Sequence, residues 1–182
     1  MKRLRRSVII GMAVSWLLGV CHHAVRAGAP TGAESDSVQD NLAIIVNTTN
    51  PVDDLSLSEL RKVFLGERSH WPNGRRITLV MMEPGQPERK ALIREVCQMN
   101  EHDLGRHFLH GMFTGEVFVS PKTLASPVGV RKFVFNVPGA IGYLRASDVD
   151  SSVKVVRVDG RLPTDKEYTL RLPPQAEHQA DQ

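Results

Sequence analysis

Cysteine is nearly absent: the 182 residues include two, Cys21 and Cys97. Cys21 lies in an N-terminal segment read below as a leader, which leaves one thiol and no internal disulfide. The chain has no CxxC pair and no Cys/His spacing of a zinc site. Cys97 falls in the apolar phase of a predicted helix, where a buried inert thiol is expected. HExxH is missing, and no serine sits in a GxSxG setting, so neither a zinc hydrolase nor a nucleophile elbow is supported. The chain is therefore read as a non-enzyme that needs no cofactor. Long hydrophobic runs are missing too. Residues 8–20 form an apolar stretch of thirteen, roughly 20 Å of helix against a hydrocarbon core of roughly 30 Å. Positive charge is scarce outside the N-terminus. The formal net charge is +3 and the pI about 9.1, but Lys2, Arg3, Arg5, Arg6 and Arg26 all precede Gly28 and no acidic residue does. Without those five, 18 of the 23 basic residues face 20 acidic ones, a net charge of about −2. A nucleic-acid-binding surface is excluded on that distribution.

What is there first is an export pattern. Lys2 to Arg6 is a basic start, residues 8–20 are the apolar core, and Val25-Arg26-Ala27 places small residues three and one positions before a cleavage point. Residues 1–27 read as a signal peptide, giving a periplasmic or secreted protein that begins at Gly28 and has no membrane span. Arg5-Arg6 also fits a twin-arginine signal, and Leu18-Gly19-Val20-Cys21 loosely resembles a lipoprotein box with a bulky Val20. An uncleaved anchor is the remaining alternative. Residues 28–40 are small and polar and read as a flexible lead-in; residues 173–182 read as a disordered tail.

Between them the apolar content, 41% of the whole chain with 24% charged, is ordinary for one globular domain. Residues 42–46 are a continuous branched apolar run, a buried strand. Asn50-Pro51 punctuates a turn over 47–54. Ser56-Leu57-Ser58-Glu59 is a capping box, followed by Leu57, Leu60 and Phe64 at helical spacing and by Gly66 where a left-handed cap belongs. A second strand is predicted over 77–82. A helix follows over 88–99, with Pro87 near its first position and Leu92, Ile93, Val96 and Met99 on its apolar face. Asn100 caps a further helix through His110, and residues 111–121 read as a loop. Pro127 opens a helix to Asn136, and strands are predicted over 140–144 and 153–158. Strands alternating with helices imply an α/β three-layer sandwich, a central mixed sheet with helices on both faces. Roughly 130 residues can build such a core alone. In that architecture ligands collect outside the carboxyl ends of strands, which makes the turn from Met82 to Glu88 the leading site.

Four stretches in order carry a family resemblance. They are Leu42-Ala43-Ile44-Ile45-Val46-Asn47 with Asn50-Pro51; residues 55–66 with Trp71; Pro138-Gly139-Ala140-Ile141-Gly142-Tyr143; and Asp159-Gly160 with Pro163-Thr164, Tyr168 and Leu170-Arg171. Together, over residues 41–172, they resemble the second half of the periplasmic phosphate-binding proteins of ABC transporters, in the form of the short stand-alone members of that superfamily. The resemblance implies a periplasmic-binding-protein-like fold and a solute-binding role. It also implies that a phosphate grip of the form R-x-x-G-S-G-T would fall at the Met82 turn. This chain keeps Gly85 there, but has Met82 for the Arg and Gln86, Pro87 and Glu88 for Ser, Gly and Thr. Met82 brings no charge, Pro87 has no N–H, and Glu88 adds a negative one. Tight phosphate binding by the family's means is not expected.

The candidate ligand-binding residues are Glu83, Gly85, Gln86, Glu88 and Arg89 on the turn, with Thr114 and Gly115 from the loop after Phe113. Arg89 is expected on the exposed side of its helix, and Glu88 in a first turn also fits simple interaction with the helix dipole. His107 and His110 are i,i+3 neighbours, but His102 lies roughly 140° around the axis, so a packed or surface pair is expected rather than a metal site. Two functions compete. One is a solute-binding-like module for a small anion or other small solute, working with an ABC permease. The other is an envelope protein-protein interaction module that kept the fold and lost the solute. Self-association into a homo-oligomer is a further expectation, because a half-length relative exposes a face that a second lobe would cover.

Overall fold

The computed structural model describes residues 40–172. The residues read as a signal peptide, nearly all of those read as a lead-in and those read as a tail lie outside the described residues. Among the described residues, seven strands and four α-helices follow one another. They are β1 (Leu42–Asn47), β2 (Asp54–Leu55), α1 (Leu57–Phe64), β3 (Thr78–Met82), α2 (Pro87–Leu92), α3 (Glu101–Thr114), β4 (Lys122–Leu124), α4 (Pro127–Asn136), β5 (Ala140–Arg145), β6 (Val153–Val155) and β7 (Arg157–Val158). Five strands form one mixed sheet in the order β4-β3-β5-β1-β6. β3 runs parallel to β4 and β5, while β1 is antiparallel to β5 and β6. Every residue of β1 and β5 is buried, as expected for central strands covered on both faces.

Alternation along β5 fixes the layers. Gly142 faces α4, where an added Cβ would stand 3.0 Å from Val130 and 3.4 Å from Val134. Its neighbour Tyr143 points the other way, onto Phe64 of α1 with ring centroids 5.9 Å apart. Arg145, two residues on, shares that second face and meets α2. Helices therefore cover both faces, the architecture expected from the sequence.

Local chemistry explains most element ends. Ser56 and Glu59 complete the capping box of α1 in both directions, and Gly66 beyond it takes φ +74°. The Trp71 indole N–H donates to Gly139 O at 3.0 Å, tying the turn after α1 to the start of β5. The Tyr168 hydroxyl donates to Leu42 O at 2.7 Å, so the closing segment fastens the start of β1. Asn47, at the end of β1, donates to the last carbonyls of α4, Val134 O and Phe135 O, which the helix itself leaves open.

Four boundaries differ from the sequence reading. The helix expected over 88–99 is a short α-helix that widens into a π turn, Ile93–Cys97. It ends because Gln98 takes a left-handed φ of 55° and Met99 N–H closes on Ile93 O. α3 runs past His110 to Thr114. Gly111 is an interior helix residue, because Val117 packs where its side chain would be (2.3 Å from an added Cβ), and the true cap is Gly115 at φ +76°. β4, unforeseen, is a largely exposed edge strand whose Lys-Thr-Leu carries no apolar alternation. The strand expected over 153–158 splits, and β7 pairs with β2 inside what was read as a turn.

Cys97 is fully buried, and burial pushes its thiol up to about 12. Native protein at pH 8 will therefore resist iodoacetamide, while the urea-unfolded chain will be labelled. An unfolded thiol ionises near pH 8.5, so the contribution from keeping Cys97 protonated is intact below that pH. It is lost as pH rises above it, by up to about 1.4 kcal/mol per pH unit. Native labelling at pH 8 at the unfolded rate would refute this.

Candidate functional site

The carboxyl ends of the parallel strands β3 and β5 lie side by side, and the turn from Met82 into α2 caps them. Met82 is fully buried. Its N–H donates to the Tyr143 hydroxyl at 2.9 Å, and its carbonyl accepts from Arg89 Nη1 at 2.7 Å. Two side chains thus hold the backbone of Met82, one through its N–H and one through its carbonyl, at the base of the turn. Burial raises the Tyr143 hydroxyl well above the ordinary tyrosine range, so it stays neutral. Outward from Met82, Glu83 N–H donates to Leu124 O, and Gly85 takes φ +96° with open space where a side chain would be. Gln86 is the N-cap of α2 but makes no side-chain cap bond, and Pro87 has no amide hydrogen. The turn keeps a backbone bend without side-chain hydroxyl donors.

Two charged residues of the turn, Glu88 and Arg89, face inward. Arg89 is 8% exposed, not on the solvent side as its place in the helix suggested. Its Nε lies 3.0 Å from both carboxylate oxygens of Glu101, and Nη2 lies 2.6 Å from Glu101 Oε1. With Nη1 on Met82 O, every nitrogen of the guanidinium is engaged. Glu88, 6% exposed, does not merely face the helix dipole: its Oε1 accepts from Arg145 Nε at 3.3 Å, and Arg145 Nη1 also pairs with Asp40. Arg89 pairs with Glu101, and Arg145 pairs with Glu88 and Asp40, two arginines against three carboxylates. The set carries a formal charge of −1 at neutral pH, before the exposed Glu83 is counted.

The turn residues Glu83, Gly85, Gln86, Glu88 and Arg89 are neighbours on one bend, but Glu88 and Arg89 are buried while Glu83 and Gly85 are exposed. Thr114 and Gly115 are not part of it. α3 begins at the site with Glu101 and carries Thr114 thirteen residues on, roughly 20 Å away. There the Thr114 hydroxyl donates back to His110 O, and Gly115 serves only as the helix cap. Arg145, Glu101, Asp40 and Tyr143 were missed. Arg145 left a signal, since a charge closing a fully buried strand demands a partner. Glu101 left none, because an acid in a first turn is already accounted for by the dipole.

His107 Nε2 lies 2.9 Å from Leu65 O and so carries the proton, which occupies it structurally. His102 and His110 are exposed. Among the described residues no group of three or more metal-ligating side chains converges, and no helix is long and apolar enough to cross a membrane. A cavity of about 320 Å³ lies on the α4 face of the sheet, lined by Ala43, Ala146, Val149, Val155, Leu162, Pro163 and Thr164. It holds no charged side chain.

No family model matches the sequence. Among solved structures, the chain is similar to a protein from Clostridium perfringens assigned as a phosphate ABC transporter substrate-binding protein and solved with bound phosphate. The identity is 27% and the TM-score 0.55, over 66% of this chain and 46% of that one. It is also similar in fold to an ABC-type phosphate transport receptor from Vibrio cholerae (23% identity, TM-score 0.51, 68% and 48% of the two chains). PstS from Borrelia burgdorferi shows the same fold likeness at 14% identity and TM-score 0.54, over 68% and 49%. The chain spans about half the length of these proteins. The mixed sheet and its helices on both faces thus give the chain a periplasmic-binding-protein-like α/β fold, similar over about two thirds of its length to part of a phosphate ABC transporter substrate-binding protein.

Proposed function

We propose that this chain is an exported module of the envelope that keeps its relatives' scaffold, no longer grips free phosphate at the Met82 turn, and acts through contact with another macromolecule. One observation carries the reading: both arginines at the turn are consumed by internal carboxylates. An anion bound there would find no free guanidinium, no side-chain hydroxyl on the turn, and a cluster already one charge negative. One unit of like charge within about 4 Å costs on the order of 1–4 kcal/mol between effective dielectrics of 80 and 20, and the charge-assisted bonds of a free arginine, roughly 1.5–3 kcal/mol each, are missing. The basic, apolar, small-residue order of residues 1–27 supports export. An ABC permease is one candidate partner, by analogy with longer proteins of which this chain matches about half.

Titration calorimetry of the full chain with phosphate, sulfate and small organic acids tests the reading. The expected result is no saturable phosphate heat below about 1 mM, an affinity weaker than roughly 4 kcal/mol. A micromolar phosphate isotherm abolished by Arg89→Ala would sink the proposal and restore the solute-binding alternative. N-terminal sequencing of the exported protein checks the compartment, with Gly28 as the expected first residue.

A further inference from the structure

The C-terminal half of α3 holds large apolar side chains outward, and nothing in the described fold covers them. Leu109, Met112 and Phe113 stand at i, i+3 and i+4 and therefore share one helix face. Phe113 is 82% exposed, and Leu109, Met112 and Phe118 are each more than half exposed. Val117 packs onto Gly111, which brings Phe118 alongside the same stretch of helix. The orientation of α3 is fixed from its other side. Leu104 and Gly111 are buried, and His107 is bonded to Leu65 O. The apolar face cannot turn inward without breaking those contacts.

We propose that this face is a docking surface for a second copy of the same chain, with the two α3 helices antiparallel across a two-fold axis at the level of Gly111. A two-fold contact must be self-complementary, and this one is. Leu109 and Phe113 lie two residues to either side of Gly111, so each apolar side chain meets the other type on the second copy. Arg106 and Glu116 lie five residues to either side, and both are exposed, so each cation meets an anion at the rim. Charge of both signs around the patch disfavours an anionic lipid surface, which a single-sign basic rim would fit. The area is also suitable. Four such side chains present on the order of 450 Å². Two copies would remove roughly 900 Å² of apolar surface, and the rim would raise the total into the range of about 1,200–2,000 Å² of specific dimers. The inference does not rest on the loss of phosphate binding and holds whether or not the Met82 turn takes a solute.

Sedimentation velocity of the full chain and its variants decides the matter. The expected result is a monomer–dimer equilibrium in the micromolar range, shifted at least about tenfold toward monomer by Phe113→Asp. Phe113 is a surface residue, so a melting temperature unchanged at concentrations where both proteins are monomeric will certify folding. Arg106→Glu, which also removes the ion pair with Asp103 on its own helix, is expected to weaken the dimer several-fold. The double variant Arg106→Glu/Glu116→Arg is expected to recover it, which a merely local role of Arg106 would not allow. A monomer up to a few hundred micromolar would overturn the proposal. So would a dimer indifferent to Phe113→Asp. Binding of a monomeric protein to phosphatidylglycerol vesicles that is lost in Phe113→Asp would also overturn it, by assigning the face to lipid.

Discussion

Arg145→Ala is expected to lower the unfolding free energy by about 3–5 kcal/mol, the usual cost of leaving one partner of a buried ion pair unmatched. The side chains of Arg145 and Glu88 are each 8% exposed. Removing the guanidinium strands the Glu88 carboxylate among apolar neighbours at the end of β5 and deprives Asp40 of its partner. The double variant Arg145→Met/Glu88→Leu should recover most of the loss, because it removes the stranded charge and fills its volume. The two substitutions share a contact, so their effects will not add. Urea unfolding of the four proteins of this cycle measures the coupling. A single-variant loss below about 1 kcal/mol would mean the pair behaves as a solvated surface bridge, and the inward-facing account of the turn would fail with it.

A second large effect is expected at Gly66, from backbone geometry instead of charge. Gly66→Ala should cost about 2–5 kcal/mol, combining left-handed strain with overpacking. At φ +74° an added Cβ would lie 2.4 Å from Val119 O and 2.9 Å from Val117 Cγ1. Gly66 O also accepts from Phe118 N–H and Val119 N–H, so displacing this residue frees the segment that lies along α3. Hydrogen exchange at those two amides should rise together with the loss of stability. Gly85→Ala is the control. Its φ is +96° but nothing lies within 4 Å of the added Cβ, so only backbone strain of about 1–3 kcal/mol remains, and the Phe118 and Val119 amides should stay protected. Equal acceleration of those amides in both variants would show that the close approach of Val119 to Gly66 is not what holds the segment.

The sequence was most legible where short-range chemistry decides structure. Ser56 and Glu59 had to cap α1, Pro127 had to open α4, and the apolar runs at Leu42 and Ala140 had to be strands buried on both faces. It misled where a distant residue decided the outcome. Gly111 read as a break because glycine disfavours helices, yet the helix passes through it, since only a residue without a side chain lets Val117 approach. β4 read as nothing because an exposed edge strand needs no apolar pattern once β3 offers it hydrogen bonds. Thr114 and Gly115 were joined to the turn on residue type alone, and the length of α3 separates them from it. Arg89 was placed in solvent because its partner, Glu101, stands in another helix, where the local dipole already explains an acid.

By itself the sequence determined the fold class, the main helices and the central strands, and that residues 82–88 carry no hydroxyl or arginine side chain. Each of these follows from residue type and spacing within a few positions. Only the tertiary structure decided that Arg89 and Glu88 are matched internally by Glu101, Arg145 and Asp40, and that Leu109, Met112 and Phe113 remain uncovered. The reason is physical: whether a charge is neutralised or an apolar face is buried depends on which groups arrive within a few ångströms through space. Separations of 12 residues for Arg89 and Glu101 and 57 for Glu88 and Arg145 leave no periodic trace along the chain.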